Sequence, residues 1–232
     1  MQLNIKRILI VTDSLGAPRF VNNEKIIYND TWVYKVISFF KKDNIEFIFL
    51  TVNGLDSRKL LQLTRDKLLL YEADMVVFEF GIVDCAPRVF KDSEIKLLSF
   101  LKLSWIVRRV VSKYHAFFSN LRAIQQVGLK EFTKNISQVY TLFNERNTKI
   151  IHIPIAPACK QYVKKSPQID KNINIYNEII KKYTDCYLCE SYKDCDVETI
   201  FLKDLHHLNE QGHNLLADNV ILNLKKILDY ES

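Results

Sequence analysis

Short apolar runs alternate along the chain with segments of helical periodicity, and this alternation restricts the fold more than any other feature. Such an order is typical of a parallel sheet whose strands are joined by crossover helices. The sequence predicts five strands, at residues 5–11, 45–51, 75–80, 149–155 and, shortest, 199–202. It predicts helices at residues 31–42, 57–71 and 209–228, with Asp30 as the N-cap of the first. We therefore expect an α/β fold, a three-layer α/β/α sandwich around a five-stranded parallel sheet.

The segment of residues 92–146 departs from this alternation because it is too long for one ordinary connection. Residues 96–114 are strongly apolar with interspersed basic residues, and residues 117–144 predict another helix. Two packed helices over one face of the sheet account for the segment; the alternatives are a lid, an acyl-binding surface, or a helix resting on a membrane or a partner. A chain of 232 residues is too short for two ordinary enzyme domains. We predict one domain, residues 1–232, with a helical insertion at about 92–146.

The composition indicates a globular protein, with 48% hydrophobic and 26% charged residues. The net charge of +6 comes from lysines spread along the whole chain, which indicates solvated helix faces and no nucleic-acid partner. No run approaches the length of a membrane span, and no signal-peptide pattern precedes the first strand, so we expect no stable membrane insertion. Five cysteines, an odd number, fit a reducing compartment. These observations predict a cytoplasmic protein and leave the oligomeric state open.

Ser14 lies in the turn Asp-Ser-Leu-Gly that directly follows the first predicted strand. That position is the carboxyl edge of a parallel sheet, where open α/β folds bind their ligands. Near the other end of the chain, Asp204 and His207 lie three residues apart, just before the last predicted helix. These side chains can complete a Ser-His-Asp triad, in which a base activates the otherwise weak serine nucleophile. The pattern predicts a serine hydrolase.

Four short blocks resemble those of the SGNH/GDSL hydrolase family, in the order of that family and after the expected elements. The blocks are Thr12-Asp-Ser-Leu-Gly16, Asn53-Gly54, Gly81-Ile-Val-Asp84, and Asp204-x-x-His207 followed by Gly212. The resemblance implies a flavodoxin-like SGNH fold and catalysis without a cofactor. It implies that Ser14 is the nucleophile, that His207 is the general base, and that Asp204 orients the imidazole. The backbone N–H groups of Ser14 and Gly54 would receive the oxyanion.

Two positions depart from the family pattern. Thr12 stands where the family usually has glycine, and Val83 stands where its third block has an asparagine that donates a hydrogen bond to the oxyanion. Valine cannot donate, so Arg19 and Arg88, which each follow a proline, are candidates to replace that donor or to clamp a carboxylate or phosphate of the substrate. Their Pro-Arg pairs resemble a subgroup found in bacterial surface-polysaccharide loci, which favours an acetylated sugar as substrate.

Other polar residues have supporting or structural interpretations. Asp13 is expected to support the site, and Asp84 either orients the loop of Ser14 or Gly54 or caps a turn. We expect His206 to be a surface or pocket residue and His213 to lie on a helix face. Cys85 has no base placed for it, so a packed small residue is favoured over a nucleophile.

Three cysteines, Cys186, Cys189 and Cys195, form a weak candidate for a zinc site. A structural zinc ion normally has four ligands, so one of the nearby acidic side chains would have to provide the fourth. Reduced cysteines in an irregular loop are the favoured interpretation, and no metal is predicted.

The predicted activity is hydrolysis of an O-acyl ester, preferably the O-acetyl ester of a sugar, through an acyl-serine intermediate. An O-acyltransferase that acts on a surface glycan with the same triad is one alternative. A non-catalytic glycan-binding protein that kept the fold is another; Thr12 and Val83 favour it, and the intact spacing of Asp204 and His207 counts against it. A membrane-surface protein that docks through residues 96–113 is the third.

Overall fold

The computed structural model describes residues 5–90, 94, 100, 122, 124–188, 191–192 and 195–228. The strands are β1 (Arg7–Thr12), β2 (Arg19–Val21), β3 (Glu24–Ile26), β4 (Glu46–Thr51), β5 (Met75–Glu79), β6 (Pro87–Arg88), β7 (Ile124–Gln125), β8 (Lys149–Ile153) and β9 (Cys186–Tyr187). The helices are α1 (Trp32–Phe39), α2 (Ser57–Asp66), α3 (Ile82–Cys85), α4 (Leu129–Asn144), α5 (Lys160–Lys165), α6 (Ile169–Lys181) and α7 (Glu210–Ile227).

The central sheet has the order β4-β1-β5-β8-β9, and every neighbouring pair in it is parallel. The four long strands predicted from the sequence are confirmed as β1, β4, β5 and β8, and their ends differ from the prediction by at most two residues. The predicted strand at residues 199–202 is wrong, because this segment pairs with its own continuation. Phe201 forms an isolated bridge to Leu208, and the Asn209 side chain donates to the carbonyl of Thr199. The two-residue β9 occupies the sheet edge beside β8 instead.

Side chains of the buried strands alternate between two cores, one on each face of the sheet. Leu9 and Val11 of β1 pack into the core formed with α2, α4 and α6, whereas Ile8 and Ile10 pack into the core formed with α1 and α7. This alternation follows from the two-residue period of a strand. The expected three-layer α/β/α arrangement results.

Helix ends differ from the prediction where a neighbouring turn competes for the capping residue. Thr31 caps α1, since its hydroxyl accepts a hydrogen bond from the N–H of Tyr34 (3.3 Å). The predicted cap Asp30 is wrong, because its carboxylate accepts from the N–H of Ile27 (3.1 Å) and closes a 3-10 turn before the helix. The predicted helix at 57–71 also divides at Lys67, after which a 3-10 turn replaces the α-helix.

Of the first part of the predicted insertion, including the helix expected at residues 96–114, only Glu94, Phe100 and Arg122 belong to the described residues. Within the predicted helix at 117–144, α4 covers only the second half, and β7 pairs antiparallel with β6 just before it. In the part of the chain that the structure describes, no helix has both the length and the apolar character needed to cross a membrane.

A short antiparallel hairpin, β2 and β3, lies between β1 and α1 and was not predicted. Asn22 and Asn23 form its turn with φ values of 47° and 68°. Asparagine adopts this left-handed conformation more readily than most residues, so the Asn-Asn pair suits a two-residue hairpin turn. The hairpin fixes the position of Arg19, its first residue.

Candidate active site

The turn after β1 lies at the point where the strand order reverses, because β1 is flanked by β4 on one side and β5 on the other. The connections through α1 and α2 therefore lie on opposite faces and leave a crevice at the carboxyl edge of the sheet. A cleft of about 520 Å³ opens there. The predicted site residues that line it are Ser14, Arg19, Gly54, Arg88, Asp204 and His207. Asp13 and Asp84 are buried beneath it.

Ser14 opens a 3-10 turn, Ser14–Gly16, that is held from both sides. The Asp13 carboxylate accepts from the N–H of Leu15 (2.8 Å), and the Asp13 N–H donates to the carbonyl of Glu79 at the end of β5 (2.8 Å). Gly16 folds back onto Thr12 so closely that a Cβ atom at Gly16 would lie 2.3 Å from the Thr12 Oγ1 atom. A side chain at this position would push the turn away, so glycine is required to place Ser14.

Ser14, His207 and Asp204 form a continuous chain of hydrogen bonds. The Ser14 Oγ atom lies 3.0 Å from His207 Nε2, and His207 Nδ1 lies 2.7 Å from Asp204 Oδ2. An ionised carboxylate only accepts hydrogen bonds, so Nδ1 carries the proton and Nε2 is the free nitrogen that faces the serine. The structure thus brings together the three residues that were predicted to form the triad.

The Asp204 carboxylate also holds the backbone of the loop that carries the imidazole. Its Oδ1 atom accepts from the N–H groups of His206 (3.3 Å) and His207 (3.1 Å). Burial acts to raise the pKa of Asp204, but the side-chain and backbone hydrogen bonds from His207 outweigh it and lower that pKa. Leu205, which follows Asp204 in this loop, has a φ of 74°, a left-handed conformation that is costly for leucine. The loop is therefore strained to present His207.

His207 is nearly buried, and this burial lowers its pKa to about 4. Electrostatic interactions with His206 and Arg19 contribute to this lowering of the His207 pKa, while the hydrogen bond and the charge of Asp204 oppose it. At neutral pH the imidazole is therefore uncharged, which is the form that can take a proton from a serine hydroxyl.

Gly54 lies across the cleft from the serine turn, in the loop after β4, with φ 64°. Its carbonyl accepts from the Lys59 ammonium group (2.7 Å), which fixes the loop. Among the described residues, the N–H groups of Gly54 and Ser14 donate to no protein acceptor, so both are available to a ligand. Val83 lines the same cleft and adds no donor.

Asp84 orients the segment that follows the Gly54 loop. Its two carboxylate oxygens lie 2.9 and 3.1 Å from the N–H of Ser57, the first residue of α2. The Asn135 side chain donates to the Ser57 hydroxyl (3.1 Å), which completes the buried contact between α2, α3 and α4. Burial raises the pKa of Asp84 to about 7. Asp84 thus holds the first residue of α2, three residues after Gly54, and its predicted role in orienting the Gly54 loop stays a prediction.

A buried carboxyl pair behind the serine turn was not predicted. Asp13 and Glu79 are both inaccessible to solvent and lie within contact of each other. Burial, followed by the negative charge of Asp13, raises the pKa of Glu79 well above its usual value, so Glu79 keeps its proton. An acidic residue at the end of the otherwise apolar β5 was the sequence signal for this pair.

The remaining candidates divide between the cleft and the protein interior. His206 lines the cleft, as expected of a pocket residue. His213 is buried and accepts from the N–H of Trp32 (3.2 Å), so its role is structural. The Cys85 thiol donates to the carbonyl of Ile82, and burial raises its pKa, as for a packed residue rather than a nucleophile.

The zinc candidate stays a prediction, because Cys189 and the side chain of Cys186 lie outside the described residues. The Cys195 thiol donates to the carbonyl of Tyr192 (3.1 Å). Asp204, His206 and His207 also place possible ligand atoms within 4.8 Å of one another, but the hydrogen bonds of the triad account for this proximity.

No protein-family model and no curated protein sequence matches the chain. Solved structures do match. A lipase/acylhydrolase from Enterococcus faecalis has a TM-score of 0.65 at 15% identity, over 98% of this chain and 100% of that one. An acetylxylan esterase from Geobacillus stearothermophilus, in a catalytic mutant, has a TM-score of 0.63 at 14% identity, over 100% and 98%. The esterase EstA from Pseudoalteromonas has a TM-score of 0.62 at 16% identity, over 97% and 99%. The chain shares their fold over its whole length.

Proposed function

We propose that the protein is a serine-dependent ester hydrolase of the SGNH/GDSL type that removes O-acyl groups through an acyl-serine intermediate. The observation that carries this proposal is the chain of hydrogen bonds from Ser14 through His207 to Asp204, at 3.0 and 2.7 Å. Its support from outside the chain is the shared fold with esterases and a lipase/acylhydrolase.

In the proposed first step, the Ser14 oxygen attacks the acyl carbonyl while His207 Nε2 takes the hydroxyl proton. The His207 imidazolium that forms is stabilised by Asp204, which already accepts the Nδ1 proton. The carbonyl oxygen becomes an oxyanion, and the free N–H groups of Ser14 and Gly54 stabilise it. Collapse of the intermediate expels the alcohol, which takes the proton back from His207.

In the second step, water attacks the acyl-serine, and His207 again acts first as base and then as acid. The products are the free acid and the regenerated serine, so no cofactor is needed for this chemistry. Acceptance of the acyl group by a sugar hydroxyl instead of water would make the protein an O-acyltransferase. The acetyl ester of a carbohydrate is our proposed substrate class, and the resemblance to proteins of surface-polysaccharide loci stays a prediction.

Labelling with a fluorophosphonate probe tests whether Ser14 is activated. We expect the wild type to be labelled and both Ser14→Ala and His207→Ala to lose the label. The matched controls are Ser166→Ala and His206→Ala, which remove a second serine and a second histidine from the same cleft and keep the triad. Equal labelling of Ser14→Ala and the wild type would refute the proposed nucleophile.

A folded wild type that is not labelled would favour the glycan-binding alternative. If labelling occurs, the fate of the acyl group separates the two enzymatic alternatives. Hydrolysis of an activated acetyl ester is measured with and without added sugars, and the products are identified by mass spectrometry. Free acetate as the main product under both conditions supports the hydrolase, whereas acetylated sugar at the expense of acetate supports the transferase.

A further inference from the structure

The charged side chains that line the cleft are mostly cationic. Arg19, Arg88 and Lys165 line it, and the described acidic residue that lines it is Asp204. That carboxylate already accepts hydrogen bonds from the side chain and the backbone of His207. The described wall of the cleft therefore presents an excess of positive charge near Ser14.

Arg19 lines this cleft and forms no ion pair with any residue that the structure describes. It is half-buried, its Nε atom is inaccessible to solvent, and this atom has no hydrogen-bond acceptor within the described residues. The charge of Arg19 acts to lower the pKa of the buried Asp13, but this carboxyl group contacts Glu79 and forms no ion pair with Arg19. A buried donor without an acceptor is costly. Because the half-buried side chain lines the cleft, the guanidinium group can turn toward an anion bound there and gain an acceptor.

The position of Arg19 is compatible with contact to a substrate that is bound at the serine. Arg19 begins β2, directly after the turn of Ser14, and its pairing with Ile26 fixes its backbone. Its charge acts on the pKa of His207, which places the guanidinium close to the proposed base. Arg88, in β6, is exposed on the same cleft and forms no ion pair with any residue that the structure describes.

We propose that the substrate is an acyl ester of an anionic carbohydrate, whose carboxylate or phosphate is bound by Arg19, with Arg88 as a second cation. This inference rests on the proposed function, since the ester of the same molecule must reach Ser14. A carboxylate and a phosphate each present a pair of acceptor oxygens, which the forked guanidinium group binds with two hydrogen bonds. Arg19 is thus a specificity-determining residue.

The test compares three O-acetyl esters that differ only in charge and its source: acetylated glucose, acetylated glucuronate and acetylated glucose 6-phosphate. We expect the wild type to favour an anionic ester over the neutral one by roughly 10- to 100-fold in kcat/KM, the effect of one or two charge-assisted hydrogen bonds. The preferred anionic ester distinguishes carboxylate from phosphate. In Arg19→Gln the preference is lost, and in Arg19→Lys, which keeps the charge without the fork, it is reduced.

Arg146→Gln is the matched control. Arg146 is an exposed arginine that lines a different pocket, at the edge of the sheet opposite to Ser14. Arg146→Gln removes the same charge and should leave the ratio between anionic and neutral esters unchanged. Thermal unfolding of each variant checks that the fold is kept.

Two results would overturn the inference. If the wild type hydrolyses all three esters equally, it has no anion site. If Arg19→Gln loses activity equally on all three esters, Arg19 acts at the oxyanion or in folding and does not select the substrate. In both cases Ser14 is labelled by the fluorophosphonate probe, so the proposed function stands. Absence of labelling and of hydrolysis overturns the proposed function itself and this inference with it.

Discussion

Replacing Asp84 with asparagine tests whether this buried carboxyl group links the stability of the fold to pH. Burial raises its pKa from its ordinary value of 3.8 to about 7. Because the folded state binds the proton more tightly than the unfolded state, protonation stabilises the fold. This contribution is fully present below about pH 4 and is lost as the pH rises through about 7. The rise in pKa corresponds to roughly 4 kcal/mol, at about 1.36 kcal/mol per pKa unit.

The Asp84→Asn side chain is neutral at every pH and keeps an oxygen that can accept from the N–H of Ser57. We therefore expect the free energy of unfolding of Asp84→Asn to gain on that of the wild type by about 3 kcal/mol between pH 4.5 and pH 8. Urea unfolding at several pH values in this range measures the difference. Asp66→Asn, an exposed aspartate at the end of α2, is the control and should follow the wild type.

Parallel pH profiles of Asp84→Asn and the wild type would refute the reasoning, because they would show that Asp84 is ionised in the folded state at all of these pH values. A constant loss of stability at every pH would show instead that the two contacts to Ser57 matter and that the charge does not.

Three further predictions concern the serine turn, the base and the oxyanion. Gly16→Ala should lower the free energy of unfolding by about 1–3 kcal/mol, because the added methyl group overlaps the Thr12 side chain. Thr12→Gly in the same chain should recover most of this loss. Urea unfolding measures both, and losses that simply add would contradict the overlap. The acid limb of kcat/KM for an activated ester should lie near pH 4, where His207 becomes protonated, and Asp204→Asn should move it to lower pH because the carboxylate raises that pKa; a limb near the ordinary histidine pKa would contradict the effect of burial. Val83→Asn should raise kcat by roughly 10- to 100-fold by restoring a donor at the oxyanion; a folded variant with a lower kcat would show that another group already fills that place.

The long strands could be predicted because each contains a run of apolar residues. The sheet buries β1, β5 and β8 on both faces, whereas β4, at the edge of the sheet, is only partly buried. The short apolar run at residues 199–202 has the same local character, and Ile200 and Leu202 are indeed buried. Its backbone groups, however, bond to residues a few positions further on, such as the carbonyl of His207, which accepts from the N–H of Leu202 (2.7 Å). Periodicity alone cannot distinguish such a local pairing from a strand of the sheet.

Ser14 could be predicted because it directly follows β1, at the carboxyl edge of the parallel sheet. Asp204 and His207 follow no strand of the sheet, and their three-residue spacing just before the last helix indicated them. The contact of Asp13 with Glu79 could not be predicted in the same way, because it depends on the register of β1 against β5, in which Thr12 lies opposite Glu79. The place of Arg19 depends on the hairpin turn at Asn22 and Asn23. The periodicity of apolar residues predicts neither the register between two distant strands nor the conformation of a two-residue turn.

The two sides of the Ser14–His207 hydrogen bond come from positions 193 residues apart in the chain. During synthesis, the serine leaves the ribosome early, as an ordinary alcohol without a base. In the proposed mechanism, it gains its base only when the segment of His207 has been made and α7 has packed against α1. Because that packing also closes one of the two cores, Ser14 would meet its proposed base at the stage when the fold is completed. The proposed mechanism therefore predicts that an unfinished chain does not react with the esters around it.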